Sequence, residues 1–167
     1  MASARSRQPM IVTLEHYDRH IHRRFLLGPS AVTADFARTM RADNPNFGIT
    51  LDQSHLGQLG EAPADALDAL GDTVTHVHLA NCLISDEHSP LYGDLHPPFG
   101  IEGGEFDIDD ISAFLSVLNS RGYFGRRLPY GRLIVSVEVR NPEGADPFVT
   151  LQETTAAVIE GYGRSQI

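Results

Sequence analysis

Glu15, Asp52, His78 and Glu138 are the residues of this sequence best placed to do chemistry together, since each stands at or near the C-terminal end of a short apolar run. The runs are MIVTLE at 10–15, FGITLD at 47–52, TVTHVHLA at 73–80 and, within LPYGRLIVSVEV, residues 133–139. His55 follows Asp52 by three residues. Carboxylates and an imidazole form a mixed oxygen and nitrogen set suited to a divalent ion of the Mn, Mg, Co or Zn type. Several carboxylates buried together without a cation would be costly, because desolvation penalises their charged form. Taken singly, each residue has a blander reading. A Glu at a strand end is often a helix cap or a solvated loop group, and a strand His is often a satisfied core or edge residue. His76 and His78 are two apart and share a strand face, so one of them can serve simply as a hydrogen-bond donor.

The elements that would bring these residues together alternate in type. After the first run comes a polar, His-rich loop, HYDRHIHRRF, and then a helix in SAVTADFARTMRA, with Val32, Phe36 and Met40 at helical spacing and Ser30 available to cap its first turn. Asn44, Pro45 and Asn46 end that helix. QSHLGQLGEAP, after the second run, reads as a glycine-punctuated loop, and Ala64–Gly71 as a short helix closed by glycine. Residues 81–106 show no periodicity and are longer than an ordinary βα loop, which suits a binding or lid element. Ile108, Ile111, Phe114, Leu115 and Leu118 predict a helix from about Asp109 to Gly122, and a last helix is predicted over Thr150–Glu160. Strands alternating with helices predict an α/β fold with parallel pairing and right-handed crossovers, and active sites in such folds lie at the C-terminal strand ends.

Bulk properties narrow the function classes. At 167 residues the chain is long enough for one cored domain but shorter than a full α/β barrel of about 250 residues. With 13 Lys and Arg against 22 Asp and Glu, the formal charge is −9, which disfavours a nucleic-acid partner, and no basic patch stands out beyond the extreme N-terminus. The single cysteine, Cys82, permits no intramolecular disulfide and fits a reducing, cytoplasmic setting. MASARSRQP, residues 1–9, lacks the apolar core of a signal peptide and reads as a disordered leader before one domain at 10–167. No apolar run long enough to span a membrane is present, so no membrane partner is expected. Neither a domain boundary nor a low-complexity tract interrupts the chain.

Five motifs carry a resemblance: LEHYD at 14–18, GP at 28–29, LDQSH at 51–55, HLAN at 78–81 and YGDLHPPFG at 92–100. Together they resemble the xylose isomerase-like barrels, a superfamily of sugar isomerases, sugar epimerases and the second class of apurinic-site endonucleases, and within it the sugar phosphate isomerase/epimerase branch. The resemblance runs from Ile11 onward. It implies a partial (βα) barrel of about four βα units, corresponding to the C-terminal half of a TIM barrel. It also implies one divalent metal, Mn first with Mg, Co or Zn as alternatives, held by Glu15, Asp52, His78 and Glu138. Glu15 and Glu138 would double as the acid/base pair of a sugar or sugar phosphate isomerase/epimerase, passing a proton through a metal-stabilised enediolate, with His55 contacting the substrate or lying just outside the ligands.

One departure bears on recognition. Many epimerases of this kind carry an Arg shortly after the third-strand His, where this chain reads CLISDEH. Contact with the sugar would then fall to His96, Asp94 or His88. The implied half-barrel leaves open sheet edges, so the expected partners are a small sugar and either further copies of the chain or a separate subunit completing the barrel. Two alternatives stand beside this reading: a non-catalytic metal-binding subunit that needs a partner half-barrel, and a metal-dependent lyase or hydrolase of the same superfamily.

Overall fold

The computed structural model describes residues 10–128 and 133–165 of the chain. Residues 1–9, read above as a leader, lie outside the described residues. Four strands, β1 (Val12–Glu15), β2 (Phe47–Asp52), β3 (Val74–Leu79) and β4 (Ile134–Val137), form one sheet in the order β1-β2-β3-β4. Every neighbouring pair is parallel. Between and after them lie α1 (Ser30–Asp43), α2 (Gln53–Leu59), α3 (Pro63–Leu70), α4 (Ile108–Ser120) and α5 (Pro147–Arg164). The result is a partial (βα) barrel whose sheet does not close among the described residues: the parallel pairing is what the alternation of elements predicts, and the partial barrel is what the resemblance implies.

The two faces of the sheet differ in chemistry. Ile49 and Leu51 of β2, with Val77 and Leu79 of β3, are fully buried in a core completed by Ala34 and Ala37 of α1, Leu67 and Leu70 of α3, and Ile111, Phe114 and Leu118 of α4. On the opposite face the register aligns Glu15 with Thr50, Asp52 with His78, and His78 with Ser136, so these alternate positions form a polar row. Thr50 donates to Thr13 within that row at 2.8 Å. All six residues of β2 are buried, whereas β1 and β4 are partly open to solvent as sheet edges.

Four local expectations are corrected. The segment after β2 is not a loop at first but the helix α2, because the Asp52 side chain accepts the N–H groups of Ser54 and His55 as an N-cap. Gly57 lies inside that helix, where a Cβ would come within 2.8 Å of Phe106, so it is a packing glycine, and Gly60, at φ 68°, is the one that ends the helix. Ser30 does not cap α1. Pro29 holds that position without a side-chain bond; the Ser30 N–H is satisfied instead by the Glu61 carboxylate at 3.1 and 3.2 Å, and its hydroxyl meets His16 Nε2 at 3.2 Å. On α1, Val32 is 44% exposed, whereas Phe36 and Met40 pack against the core as their spacing predicts, and the fully buried stripe is Ser30, Thr33, Ala34 and Ala37, small residues that let the helix approach the sheet closely. Finally, α5 begins three residues before the predicted start and ends four beyond the predicted end, capped by Asp146, with Gly161 seated against Ile111.

Candidate metal centre

Glu15 and Asp52 are the last residues of β1 and β2, His78 is the penultimate residue of β3, and Glu138 follows β4 directly. The Glu138 N–H continues the ladder by donating to the Leu79 carbonyl at 3.0 Å. Relative to the register, Glu138 stands two residues beyond the partner of His78, and Asp52 two beyond the partner of Glu15. Such a stagger is what strands tilted in a barrel wall produce. It brings one ligand atom from each of the four residues within 4.8 Å of the others.

His78 lies at the middle of the group. Its Nδ1 is 3.2 Å from Glu15 Oε1, 3.3 Å from Asp52 Oδ2 and 2.9 Å from Glu138 Oε2. Burial alone would lower its pKa, but the close carboxylates of Asp52, Glu138 and Glu15 favour its charged form and raise it to about 11. Burial would also raise the Glu15 pKa, and the neighbouring imidazoles of His55 and His78 outweigh it, holding that carboxyl well below the usual range. Glu15 Oε2 accepts from the Tyr17 hydroxyl at 3.1 Å. Asp52 divides its work: Oδ1 accepts from Ser54 N at 2.6 Å and Ser54 Oγ at 2.5 Å, while Oδ2 is buried and makes no hydrogen bond. One proton on His78 cannot serve three carboxylates, and the unsatisfied Asp52 Oδ2 faces the same point. A divalent cation shared by these oxygens and the imidazole would satisfy both, so the residues present fit a metal ion.

A second group overlaps the first. Asp52, His55 and His96 also bring ligand atoms within 4.8 Å of one another. His55, fully buried in the first turn of α2, has Nδ1 3.3 Å from Gln58 Nε2, while its Nε2 lies 3.5 Å from Glu15 Oε1 and makes no hydrogen bond. With the Gln58 amide oriented as a donor, the His55 proton sits on Nε2 and points toward Glu15. Its ring packs edge-on against Tyr17 at 4.4 Å. His96 adopts φ 46° in the long loop, which turns Nε2 to 2.9 Å from Asp94 Oδ1 and 3.7 Å from Glu138 Oε1. Burial opposes ionisation of Asp94, yet His96, His55 and Arg23 hold its pKa well down, and the same contact with Asp94 raises that of His96 against burial.

The structure therefore brings Glu15, Asp52, His55, His78, Asp94, His96 and Glu138 to one end of the sheet. His88 is not among them: its side chain is exposed and its ion-pair contact is Glu87 at 3.9 Å. His76 turns away from the carboxylates to Ser136 Oγ at 2.7 Å, the plain hydrogen-bonding role open to one of the two strand histidines. Sequence reasoning missed Tyr17, Ser54 and Arg23, whose Nε bonds Asp94. The spacing of Tyr17 from Glu15, two residues along the same chain, is the one signal that could have pointed to the first. Asn81 was quoted only within a motif. Its Oδ1 accepts from Cys82 and Phe106 N–H at 2.8 Å and its Nδ2 donates to the Pro98 carbonyl at 2.9 Å, so it pins both ends of the long loop.

No protein-family model and no curated protein matches the chain. Among solved structures it is similar to a D-psicose 3-epimerase with D-tagatose from Clostridium cellulolyticum H10, at 16% identity and a TM-score of 0.59, over 93% of this chain and 49% of that one. It also aligns with an L-ribulose 3-epimerase at 20% identity and a TM-score of 0.49, over 91% of this chain and 44% of that one. The chain thus spans about half the length of the solved structures it matches. At 16% identity the likeness to the first of these is one of fold alone.

Proposed function

We propose that this chain carries the metal centre of a sugar isomerase or epimerase, with Glu15, Asp52, His78 and Glu138 as ligands of one divalent ion, Mn first among the candidates. The observation that carries the reading is the approach of three carboxylates from three strands to His78 Nδ1, at 2.9 to 3.3 Å. When bound, a divalent ion would polarise a carbonyl and its neighbouring hydroxyl and so acidify the C–H between them. Glu15 and Glu138 come from the two outer strands and flank the centre, as a pair that takes a proton on one face and returns it on the other must. Glu15 is held ionised by His55 and His78, ready to accept. Tyr17 fixes its Oε2, leaving Oε1 turned to the centre. Glu138 is 46% exposed on its side chain, on the edge where a sugar would enter. His55, Asp94 and His96 line the neighbouring wall as substrate contacts. The remaining wall of the pocket would come from another chain segment, a second copy or a partner subunit.

The overlapping Asp52, His55 and His96 group favours a second reading, a metal-dependent lyase or hydrolase with a second ion. Calorimetric titration of Mn²⁺ separates them: one ion per chain supports the first reading and two the second. Asp52→Asn retains an amide oxygen to cap α2 while replacing the free Oδ2, so it tests ligation without unseating the helix. Since partners behind a ligand alone cost 10- to 100-fold in affinity, the variant should lose at least about 100-fold. Glu138→Gln should do likewise, and unchanged affinity in both sinks the assignment. Proton transfer is read separately, as solvent deuterium appearing at carbon in ketoses incubated with the Mn²⁺-loaded protein.

A further inference from the structure

Arg19, His20, His22, Arg23 and Arg24 fall within six residues of a chain whose formal charge is −9. By its residues alone this stretch reads as a polar, His-rich loop, but the structure winds it around a single carboxylate. Asp18, fully buried, accepts the N–H groups of Ile21, His22, Arg23 and Arg24 at 2.8 to 3.1 Å. With its backbone donors drawn inward, the turn carries exposed basic side chains. It is also docked on the long loop. The Asp94 N–H donates to His22 Nδ1 at 2.9 Å, and the Asp94 carboxylate accepts from Arg23 Nε. At Gly93, φ 88°, a Cβ would lie 2.9 Å from His22 Nδ1, so this close approach requires glycine.

Both contacts use the inner atom of a side chain and leave its outer donors over. Because His22 Nδ1 accepts, a neutral ring carries its proton on Nε2. Among the described residues, no group accepts from either terminal nitrogen of Arg23, whose side chain is 55% exposed. Arg23 nonetheless approaches the metal centre by two routes. Its guanidinium stands 5.8 Å from the centre of the Tyr17 ring, whose hydroxyl donates to Glu15. Asp94, on its other side, reaches His96 at 2.9 Å.

We propose that Arg23, with His22 beside it, is a phosphate-binding arm at the rim of the metal centre, so that the substrate is a phosphate monoester of a sugar; this rests on the isomerase or epimerase reading of that centre. A guanidinium fixed through Nε presents its two terminal nitrogens as a fork that fits two oxygens of a phosphate. A neutral sugar has no need of one. The carboxylates at the centre repel an anion, and the positive turn offsets that field where a phosphate would enter. Arg19 is tied to the Leu26 carbonyl at 2.8 Å, and Arg23 is the arginine of the turn whose side chain bonds a residue beside the centre, Asp94.

Inorganic phosphate titrated by calorimetry into the metal-free full chain tests the arm without reliance on turnover or metal. Losing a charge-assisted pair should weaken phosphate at least about tenfold in Arg23→Gln, with a smaller loss in Arg23→Lys, while Arg24→Gln changes it by about two-fold or less. Failure of the wild type to bind phosphate, or equal losses in Arg23→Gln and Arg24→Gln, overturns the proposal. Mn²⁺ affinity should be unchanged in Arg23→Gln; a parallel loss would mean that Arg23 acts only by holding Asp94, and overturns it too. In the Mn²⁺-loaded wild type, fructose 6-phosphate should bind at least about tenfold more tightly than fructose, and this preference should vanish in Arg23→Gln. Parity in the wild type overturns the substrate class even if phosphate alone binds.

Discussion

Asp52 shows at the residue scale why a charged strand end is compatible with a stable fold. One oxygen caps α2 and the other faces the metal centre, so the same carboxylate builds an element and the site. Replacement by Ala should therefore fail twice, adding the loss of a cap, about 1 kcal/mol in urea unfolding, to the metal defect expected of Asn. His78 gives the site its pH dependence. Its folded pKa of about 11 lies above its unfolded value of 6.5, so its ion pairs stabilise the metal-free protein fully below pH 6.5 and cease to do so as pH rises through 11. If His78 is a ligand as proposed, metal binding should run in the opposite sense, because the imidazole must lose that proton to ligate. Each Mn²⁺ should release about one proton near neutral pH, with affinity rising about tenfold per pH unit. Calorimetry in two buffers of different ionisation enthalpy measures this directly, and an uptake independent of buffer would exclude His78 as a ligand.

At the scale of elements, local signals located β2, β3, α3 and α4 to within a residue or two, because strand alternation, helix periodicity and caps are short-range properties. The helix α2 escaped notice because its glycines look like turn formers until Phe106, far along the chain, is seen against Gly57. Gly48 is a comparable case. The register between β2 and β3 shifts at Ile49 and Thr50, which sets Thr75 so close that a Cβ on Gly48 would lie 2.2 Å from its Oγ1. Gly48→Ala should therefore destabilise by about 1 to 3 kcal/mol despite the usual preference for Ala over Gly in strands. The effect is read as a lower urea midpoint at unchanged slope. The long segment 81–106 lacks periodicity, yet it is ordered by Asn81 and by a bridge between Leu83 and Gly93.

For the whole molecule, the governing fact is a sheet with one apolar and one polar face and two edge strands that are unpaired among the described residues. Amides of β2 and β3 should exchange with solvent at least about tenfold more slowly than those of β1 and β4. Edge protection equal to that of the centre would mean that another strand, from a copy or a partner, covers it. Mn²⁺ at 100 times its dissociation constant should add about 2.7 kcal/mol to stability, reversed by chelation, if the centre forms only in the folded chain. The four strands, the (βα) alternation and the residue types at the strand ends are legible in the order of residues, since they follow from periods of 2 and 3.6 and from turn chemistry. Tertiary structure alone decided that Tyr17 and His55 support Glu15, that Arg23 reaches Asp94 across 71 positions of chain, and that His88 lies elsewhere. Those contacts depend on how the strands are staggered and how loops with no periodicity dock, and neither leaves a local trace in the order of residues.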